Sequence, residues 1–181
     1  MLYEPKWSKA KKRLKSFICA PLQTRIDFQV INYRNAHDQL GRAVITVDKV
    51  EKLSMCTITA EREEYYRESE IRRSLNNVEF DNVEFNREIQ KQAHQQLEKE
   101  GIYAQYDFFT ALERFFNSPI KESLESSDSL IKILSLLDRR VGKRTLRNMK
   151  DSILDEHELV RYFYELRCEA ESIHILHLHN K

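Results

Sequence analysis

Glycine and proline are scarce in this sequence, with three of each among 181 residues. Turn-rich all-β architectures need both residue types at their turns, so the composition favours long helices. The three cysteines are far apart and odd in number, which argues against a disulfide framework and fits a reducing compartment. The sequence shows neither the apolar core of a signal peptide at its start nor an apolar run long enough to cross a bilayer. These absences predict a cytoplasmic protein without a membrane partner.

Charge is abundant but balanced. Charged residues make up 33% of the chain, above the usual quarter, yet the formal net charge is +1. The net charge therefore favours neither nucleic acid nor a membrane surface as the partner. The hydrophobic fraction of 41% is typical of a globular protein, and a chain of 181 residues can bury a sizeable core. We predict a single domain over residues 1–181.

The first third of the chain predicts a helix and three strands. Apolar residues recur every three or four positions over 7–18, which indicates one helical face, and Pro21 bounds this helix. Alternating or β-branched stretches follow at residues 25–33, 42–48 and 50–59, with a tight turn at Asp48-Lys49. Short connections between sequential strands favour an antiparallel meander. Residues 61–74 predict an exposed helix or a charged connector. Residues 77–86 contain a five-residue sequence repeated once, NVEFD and NVEFN, which predicts a repeated turn or edge strand.

The rest of the chain predicts helices. Residues 86–100 form one helix closed by Gly101, and an aromatic helix over 108–116 follows an Asp107 cap. Ser118-Pro119 opens a short helix, Asp128 caps an apolar helix that continues to Val141 and Gly142, and Asp155 caps the last helix. The predicted fold class is α+β: an N-terminal helix and three-stranded antiparallel meander followed by a mostly helical C-terminal half. We place the helix and meander in residues 1–60, the helical part in 61–173 and a C-terminal extension in 174–181.

Motifs for catalysis, cofactors or metals do not stand out. Gly142-Lys143-Arg144-Thr145 lacks the upstream glycine of a P-loop, and neither H-E-x-x-H nor G-x-S-x-G occurs. His174, His177 and His179 stand close together, but a chain terminus rarely holds the fixed geometry that metal ligation needs. We therefore predict no cofactor, no metal and no catalytic residues. Cys19 and Cys168 are expected in the core, whereas Cys56 on a strand has no assigned base.

Four stretches resemble a small uncharacterised bacterial protein family. They are Trp7-Ser8-Lys9-Ala10-Lys11-Lys12, residues 41–48, residues 138–144 with the sequence DRRVGKR, and residues 163–171 with the sequence FYELRCEAE. The resemblance covers residues 7–173 and implies a bacterial cytosolic origin and one intact domain. The family has no established activity, so the resemblance implies no function.

Two basic clusters are the candidate binding sites. The candidate residues are Lys9, Lys12 and Arg13 in the first helix, and Arg139, Arg140, Lys143, Arg144 and Arg147 at and after the end of the apolar helix. Such cations can contact phosphates. They can equally form a solvated helix face, or complement a helix C-terminus and pair with Asp138, Asp151 and Asp155. A single patch free of acidic partners would favour nucleic-acid binding.

Three functions remain open from the sequence. The leading hypothesis is a non-catalytic module that binds a protein partner, because tyrosine and arginine are enriched at interfaces; an accessory or immunity-type role would fit by analogy. The second is a nucleic-acid-binding protein that uses the basic clusters. The third is a small enzyme whose site forms only on folding. The partner, the ligand and the oligomeric state do not follow from the sequence.

Overall fold

The computed structural model describes residues 6–33, 40–75 and 82–174. The elements in these ranges are α1 (Trp7–Phe17), β1 (Ile26–Asn32), β2 (Gly41–Val47), β3 (Val50–Cys56), α2 (Thr57–Ser74), α3 (Val83–Lys99), α4 (Gln105–Asn117), α5 (Ile120–Leu124), α6 (Ser129–Leu137), α7 (Lys143–Asn148) and α8 (Glu158–Ala170). Two single 3-10 turns cover Ala20–Leu22 and Ser152–Asp155. The predicted α+β class, with helix and meander before a helical half, is confirmed.

The three strands form one antiparallel sheet in the order β1-β2-β3. β2 is the central strand and is buried over nearly its whole length. The predicted tight turn between β2 and β3 is present, and its residues Asp48 and Lys49 have φ values of 51° and 68°. Two consecutive left-handed residues are characteristic of a type I′ hairpin turn, whose twist matches that of the flanking strands.

The third strand is shorter than predicted. β3 ends at Cys56 and Thr57 already begins α2, so the expected strand over residues 57–59 is helical. Cys56 is the extended residue that precedes the helix. The strong helix formers after Thr59 extend the helix back over three β-branched residues, whose strand propensity is only a weak preference.

The chain divides into two compact units. Unit 1 comprises residues 1–30, 44–53 and 109–181, and unit 2 comprises residues 31–43 and 54–108. The expectation of a single domain stays a prediction. In unit 1, all residues of α6 from Leu130 to Leu137 are buried, and α8 packs against α6. Cys19 and Cys168 are buried in this unit, as predicted.

Unit 2 is built around the pair α2 and α3. Ile89, Ala93 and Leu97 form the buried stripe of α3, as their spacing predicts, and Gly101 follows the helix with φ of 73°. The first half of the repeat at 77–86 lies outside the described residues. Its second half is a helix start rather than a turn or edge strand, because the Asn82 side chain accepts a hydrogen bond from the Phe85 amide.

Gly41 is required by close packing within unit 2. A Cβ atom at this position would lie 2.5 Å from the Ile31 carbonyl oxygen and 2.7 Å from Gln105 Nε2. Gln105 is buried, and its amide nitrogen donates to Asn32 Oδ1 and to the Arg42 carbonyl, both at 3.2 Å. The glycine therefore makes room for a polar side chain that satisfies a strand carbonyl.

Several predicted helix boundaries are wrong, including the start of α3 at Val83 rather than residue 86. α6 ends at Leu137 rather than near Gly142, because Asp138 is extended and pairs with Ile18 in an isolated antiparallel bridge. α4 starts at Gln105, so Asp107 lies in its first turn and accepts a hydrogen bond from the Ala104 amide. The last helix is capped by His157 Nδ1 instead of Asp155, which belongs to the preceding 3-10 turn.

Candidate functional site

The cations of α1 separate onto two faces of the helix. Lys11 and Lys15 both reach Asp27 at the start of β1, with N–O distances of 3.0 and 2.9 Å. Lys9, Lys12 and Arg13 lie on another face and are exposed. None of these three forms an ion pair with a described residue. Lys11 and Lys15 therefore hold α1 to β1, whereas the predicted residues Lys9, Lys12 and Arg13 have no carboxylate partner in the described part of the chain.

The second predicted cluster begins where the chain meets the end of α1. The Leu137 carbonyl accepts a hydrogen bond from the Cys19 amide at 3.0 Å, and the Arg139 amide donates to the Phe17 carbonyl at 2.7 Å. These two bonds belong to the bridge between Ile18 and Asp138. The early end of α6 thus brings Arg139 and Arg140 beside α1, which sequence reasoning did not foresee.

Arg140 is fixed by a carboxylate and by an aromatic ring. Its Nε and Nη2 atoms donate to Asp138, with the shortest distance at 2.7 Å, and Asp138 is fully buried. The guanidinium carbon lies 4.5 Å from the centre of the Phe17 ring. A forked pair of this kind combined with ring stacking holds a guanidinium in one orientation.

Arg13 is held in a related way on the neighbouring ring. Its Nη2 atom donates to the Phe116 carbonyl at 2.9 Å, and its guanidinium carbon lies 4.2 Å from the Phe116 ring centre. The rings of Phe17 and Phe116 are 6.0 Å apart. Arg13, Phe116, Phe17 and Arg140 thus form a continuous row, called the Arg–Phe row below, which joins the two basic clusters.

The remaining predicted cations differ in their partners. Lys143 donates to the Glu171 carbonyl at 2.9 Å and lies 3.6 Å from its carboxylate. Arg139, Arg144 and Arg147 are exposed and make no ion pair with the described part of the chain. Asp151 and Asp155, expected as neutralising partners, form no ion pair within the described ranges either. We define the basic surface as Lys9, Lys12, Arg13, Arg139, Arg140, Arg144 and Arg147. Contacts of the Arg–Phe row bring Arg13 and Arg140 together, and Arg144 and Arg147 lie on α7.

A buried arginine supports the basic surface from within and was missed by sequence reasoning. Arg167 is 2% exposed, and it donates to the carbonyls of Leu137 and Val141 at 3.3 and 2.9 Å. Its guanidinium also lies 3.2 Å from the Glu171 carboxylate, one turn later in α8. These contacts fix the segment that carries Arg139 and Arg140. Its position four residues after Phe163, on the inner face of α8, was the available signal.

α2 presents a second exposed surface, in unit 2. Tyr65, Tyr66 and Ile58 are 68%, 51% and 48% exposed. The side of α2 that meets α3 is polar: Arg67 pairs with Glu100 at 2.7 Å, and Glu64 lies 3.7 Å from His94. α2 buries only small side chains, Thr57 and Ala60, and exposes its large apolar ones. An ordinary surface helix turns its large apolar side chains to the core.

Polar groups in unit 2 form two further clusters. The His94 ring nitrogens lie 3.7 to 3.9 Å from oxygens of Glu64, Glu98 and Asp107, and burial raises the pKa of Glu64.

The effect of burial on the Cys56 thiol is outweighed by hydrogen bonds from Thr59 and Tyr33, so the pKa of this thiol is lowered. Within the described ranges, no group of three histidine, cysteine or acidic side chains could hold a metal ion. His174 is exposed, while His177 and His179 lie outside the described residues.

A cleft of about 300 Å³ lies in unit 1, away from the predicted binding residues. Its polar lining mixes Arg25, Asp48, Lys52, Glu165 and Glu169 around the Tyr162 ring. Arg25 pairs with Asp48 at 2.8 Å, and the Lys52 ammonium lies 5.5 Å from the Tyr162 ring centre. The charges of the cleft are therefore largely balanced among themselves.

Comparison with protein families identifies the family of this chain, whereas comparison with individual proteins does not. No curated protein and no solved structure matches the chain. Within the described ranges, no helix has both the length and the apolar character that crossing a membrane requires. The model of the SF0329 protein family matches residues 6–168, which is most of the sequence. The chain therefore belongs to the SF0329 protein family.

Proposed function

We propose that the protein binds nucleic acid through the phosphate backbone, using the basic surface. The observation that carries the proposal is the meeting of the two basic clusters at Phe17. Lys9, Lys12, Arg13, Arg139, Arg144 and Arg147 have no acidic partner among the described residues. Cations without a carboxylate partner are available to phosphates, which supply most of the affinity in non-specific binding.

The Arg–Phe row favours phosphate recognition over a diffuse positive charge. Arg13 and Arg140 are each anchored by a hydrogen-bonded oxygen and a ring, so little side-chain entropy is lost when a ligand binds. A guanidinium has five N–H donors, and these anchors use only some of them. The remaining donors suit phosphate oxygens. Lysine at either position would keep the charge but lose the fork and the stacking.

Fluorescence anisotropy with labelled single-stranded RNA, single-stranded DNA and duplex DNA tests the proposal. Between about 50 and 200 mM salt, affinity should fall steeply, with a logarithmic slope of about 0.9 for each phosphate contacted in duplex DNA. The triple variant Lys9→Gln, Lys12→Gln, Arg139→Gln should weaken binding on the order of ten-fold or more and flatten that slope. The single variant Arg140→Lys should also bind less tightly.

The matched control removes three exposed cations from α3 of unit 2. Arg87→Gln, Lys91→Gln and Lys99→Gln change the net charge equally, and these residues also lack an ion pair with described residues. This control should bind nucleic acid like the unmodified protein. If all three probes fail to bind at low salt, or if both triple variants lose affinity equally, the proposal is wrong.

Protein binding is a second candidate function, and the exposed Tyr65 and Tyr66 on α2 favour it. The ring centres of Tyr65 and Tyr66 are 6.1 Å apart. Tyrosine is one of the residues enriched in the hot spots of protein interfaces. Purification from the native host should yield a stoichiometric partner with the unmodified chain and not with Tyr65→Ala, Tyr66→Ala. Equal recovery with both chains would count against this surface.

A further inference from the structure

Charge is segregated between the two units, although the net charge of the chain is +1. Unit 1 contains 21 lysines and arginines against 16 aspartates and glutamates, whereas unit 2 contains 9 against 13. One chain therefore has a basic unit and an acidic unit. A near-neutral protein has little overall repulsion between copies, so opposite local charges can bring two copies together.

The acidic unit displays its charge beside exposed aromatic side chains. Ile58, Glu61, Tyr65 and Glu68 follow one another on α2 at spacings of three and four, so they share one face of the helix. Glu61 is exposed and Glu68 is half-buried, and neither forms an ion pair with a described residue. The stripe is thus both apolar and negative.

Tyr106, at the start of α4, extends this surface. It is 44% exposed. Its partial burial, and then the negative charges of Asp107, Glu64 and Glu61, raise the pKa of its hydroxyl to about 12. The hydroxyl therefore stays protonated and can donate a hydrogen bond. We define the acidic tyrosine surface as Ile58, Glu61, Tyr65, Tyr66, Glu68 and Tyr106.

We propose that the acidic tyrosine surface of one copy docks the basic surface of a second copy, in a head-to-tail complex. The two surfaces complement each other in chemistry as well as in charge. Guanidinium groups stack on tyrosine rings and pair with carboxylates, and arginine and tyrosine dominate interface hot spots. The basic surface offers two anchored guanidiniums at Arg13 and Arg140, beside exposed cations on α1.

A head-to-tail contact joins different patches on the two copies, so each copy keeps one of each surface free. Growth into larger oligomers follows at high concentration unless a ring closes. The proposal uses the same basic surface as the proposed nucleic-acid binding, but it needs no nucleic acid. If both proposals are right, nucleic acid and the second copy compete for that surface.

A mixing experiment with two charge-reversal variants tests the contact. The acidic-side variant carries Glu61→Lys and Glu68→Lys, and the basic-side variant carries Lys9→Glu and Arg139→Glu. Circular dichroism first establishes that both are folded. By sedimentation velocity at about 50 mM salt, the unmodified protein should associate, and about 500 mM salt should reverse this because the charges are solvent-exposed.

Each variant alone should be monomeric, since it retains only one working surface. Their equimolar mixture should associate, because the basic surface of the acidic-side variant can bind the acidic tyrosine surface of the basic-side variant. The two reversed surfaces also carry opposite charges, so alternating complexes larger than a dimer can form. A control pair, with Arg87→Glu and Lys91→Glu in place of the basic-side changes, should associate like the unmodified protein. A mixture that stays monomeric, or unmodified protein that stays monomeric at low salt, overturns the proposal. Association in the mixture, with each variant alone monomeric, supports it even if nucleic acid does not bind.

Discussion

Arg167 shows what a single buried side chain contributes to this fold. Its partners are the Leu137 and Val141 carbonyls and the Glu171 carboxylate. We expect Arg167→Ala to lower the free energy of unfolding by about 3–5 kcal/mol, because buried acceptors and a mostly buried carboxylate lose their cation. Equilibrium unfolding in urea measures this loss. The dependence of the unfolding free energy on urea concentration should be the same for the variant and the unmodified protein.

Arg161 provides the control for that measurement, because it lies on the same helix and forms no ion pair with described residues. Arg161→Ala should change the free energy of unfolding by no more than about 0.5 kcal/mol. A loss below about 1 kcal/mol for Arg167→Ala would show that its three contacts are energetically unimportant.

The role of Arg167 could not be predicted from the sequence because its partners are distant along the chain. The Leu137 carbonyl is 30 positions away, and it becomes an acceptor only where α6 ends. Asp138 was expected to pair with a neighbouring cation and is bound to Arg140, but its full burial was not foreseen. The sequence shows which residues are charged. Whether a charged side chain is buried depends on contacts between distant residues, which form only on folding.

At the scale of elements, α1 is fastened to β1 by Asp27. Partial burial acts to raise the pKa of this carboxyl, but hydrogen bonds from Lys15 and Lys11 outweigh it, so the folded-state pKa is lowered. A depressed carboxyl pKa stabilises the fold above the unfolded value, near 4, and the contribution is lost as pH falls through the folded value. We expect Asp27→Asn to lower the melting temperature at pH 7 but not below about pH 3.

The size of this effect is limited because the pair is partly solvated, and a loss of about 1 kcal/mol or less is expected at pH 7. Thermal unfolding by circular dichroism across the acidic range measures it. Asp151→Asn is the control, since Asp151 is exposed and without an ion pair among described residues. A difference between Asp27→Asn and the unmodified protein that persists unchanged to low pH would contradict the assignment.

Most elements followed from the sequence, but their ends did not. The apolar pattern from Leu130 continues to Val141, which is buried although α6 ends at Leu137. Periodicity reports burial, and a buried loop residue in the right register looks like another helical turn. The same reasoning explains β3, where β-branched Thr57 and Ile58 read as strand but form the first turn of α2.

At the scale of the whole molecule, the overall composition does not reveal that positive and negative charge are separated between the two units. A net charge of +1 suggested no electrostatic preference, yet the two units carry opposite excess charge. Unit 2 combines residues 31–43 with 54–108, so a count along the sequence mixes residues of both units. Lys9, Lys12 and Arg13 are exposed on α1. Their junction with Arg139 and Arg140 at Phe17 depends on the bridge between Ile18 and Asp138.

Trp7 is an intrinsic fluorescence probe of the contact between α1 and α4. It is the single tryptophan of the chain, and its ring meets the Phe109 ring edge-on at 6.2 Å between centres. All indole emission therefore originates at the contact between α1 and α4. If a ligand or a second copy pulls α1 away, the indole enters water and its emission shifts to longer wavelength. Fluorescence can thus follow events at the basic surface without any added dye.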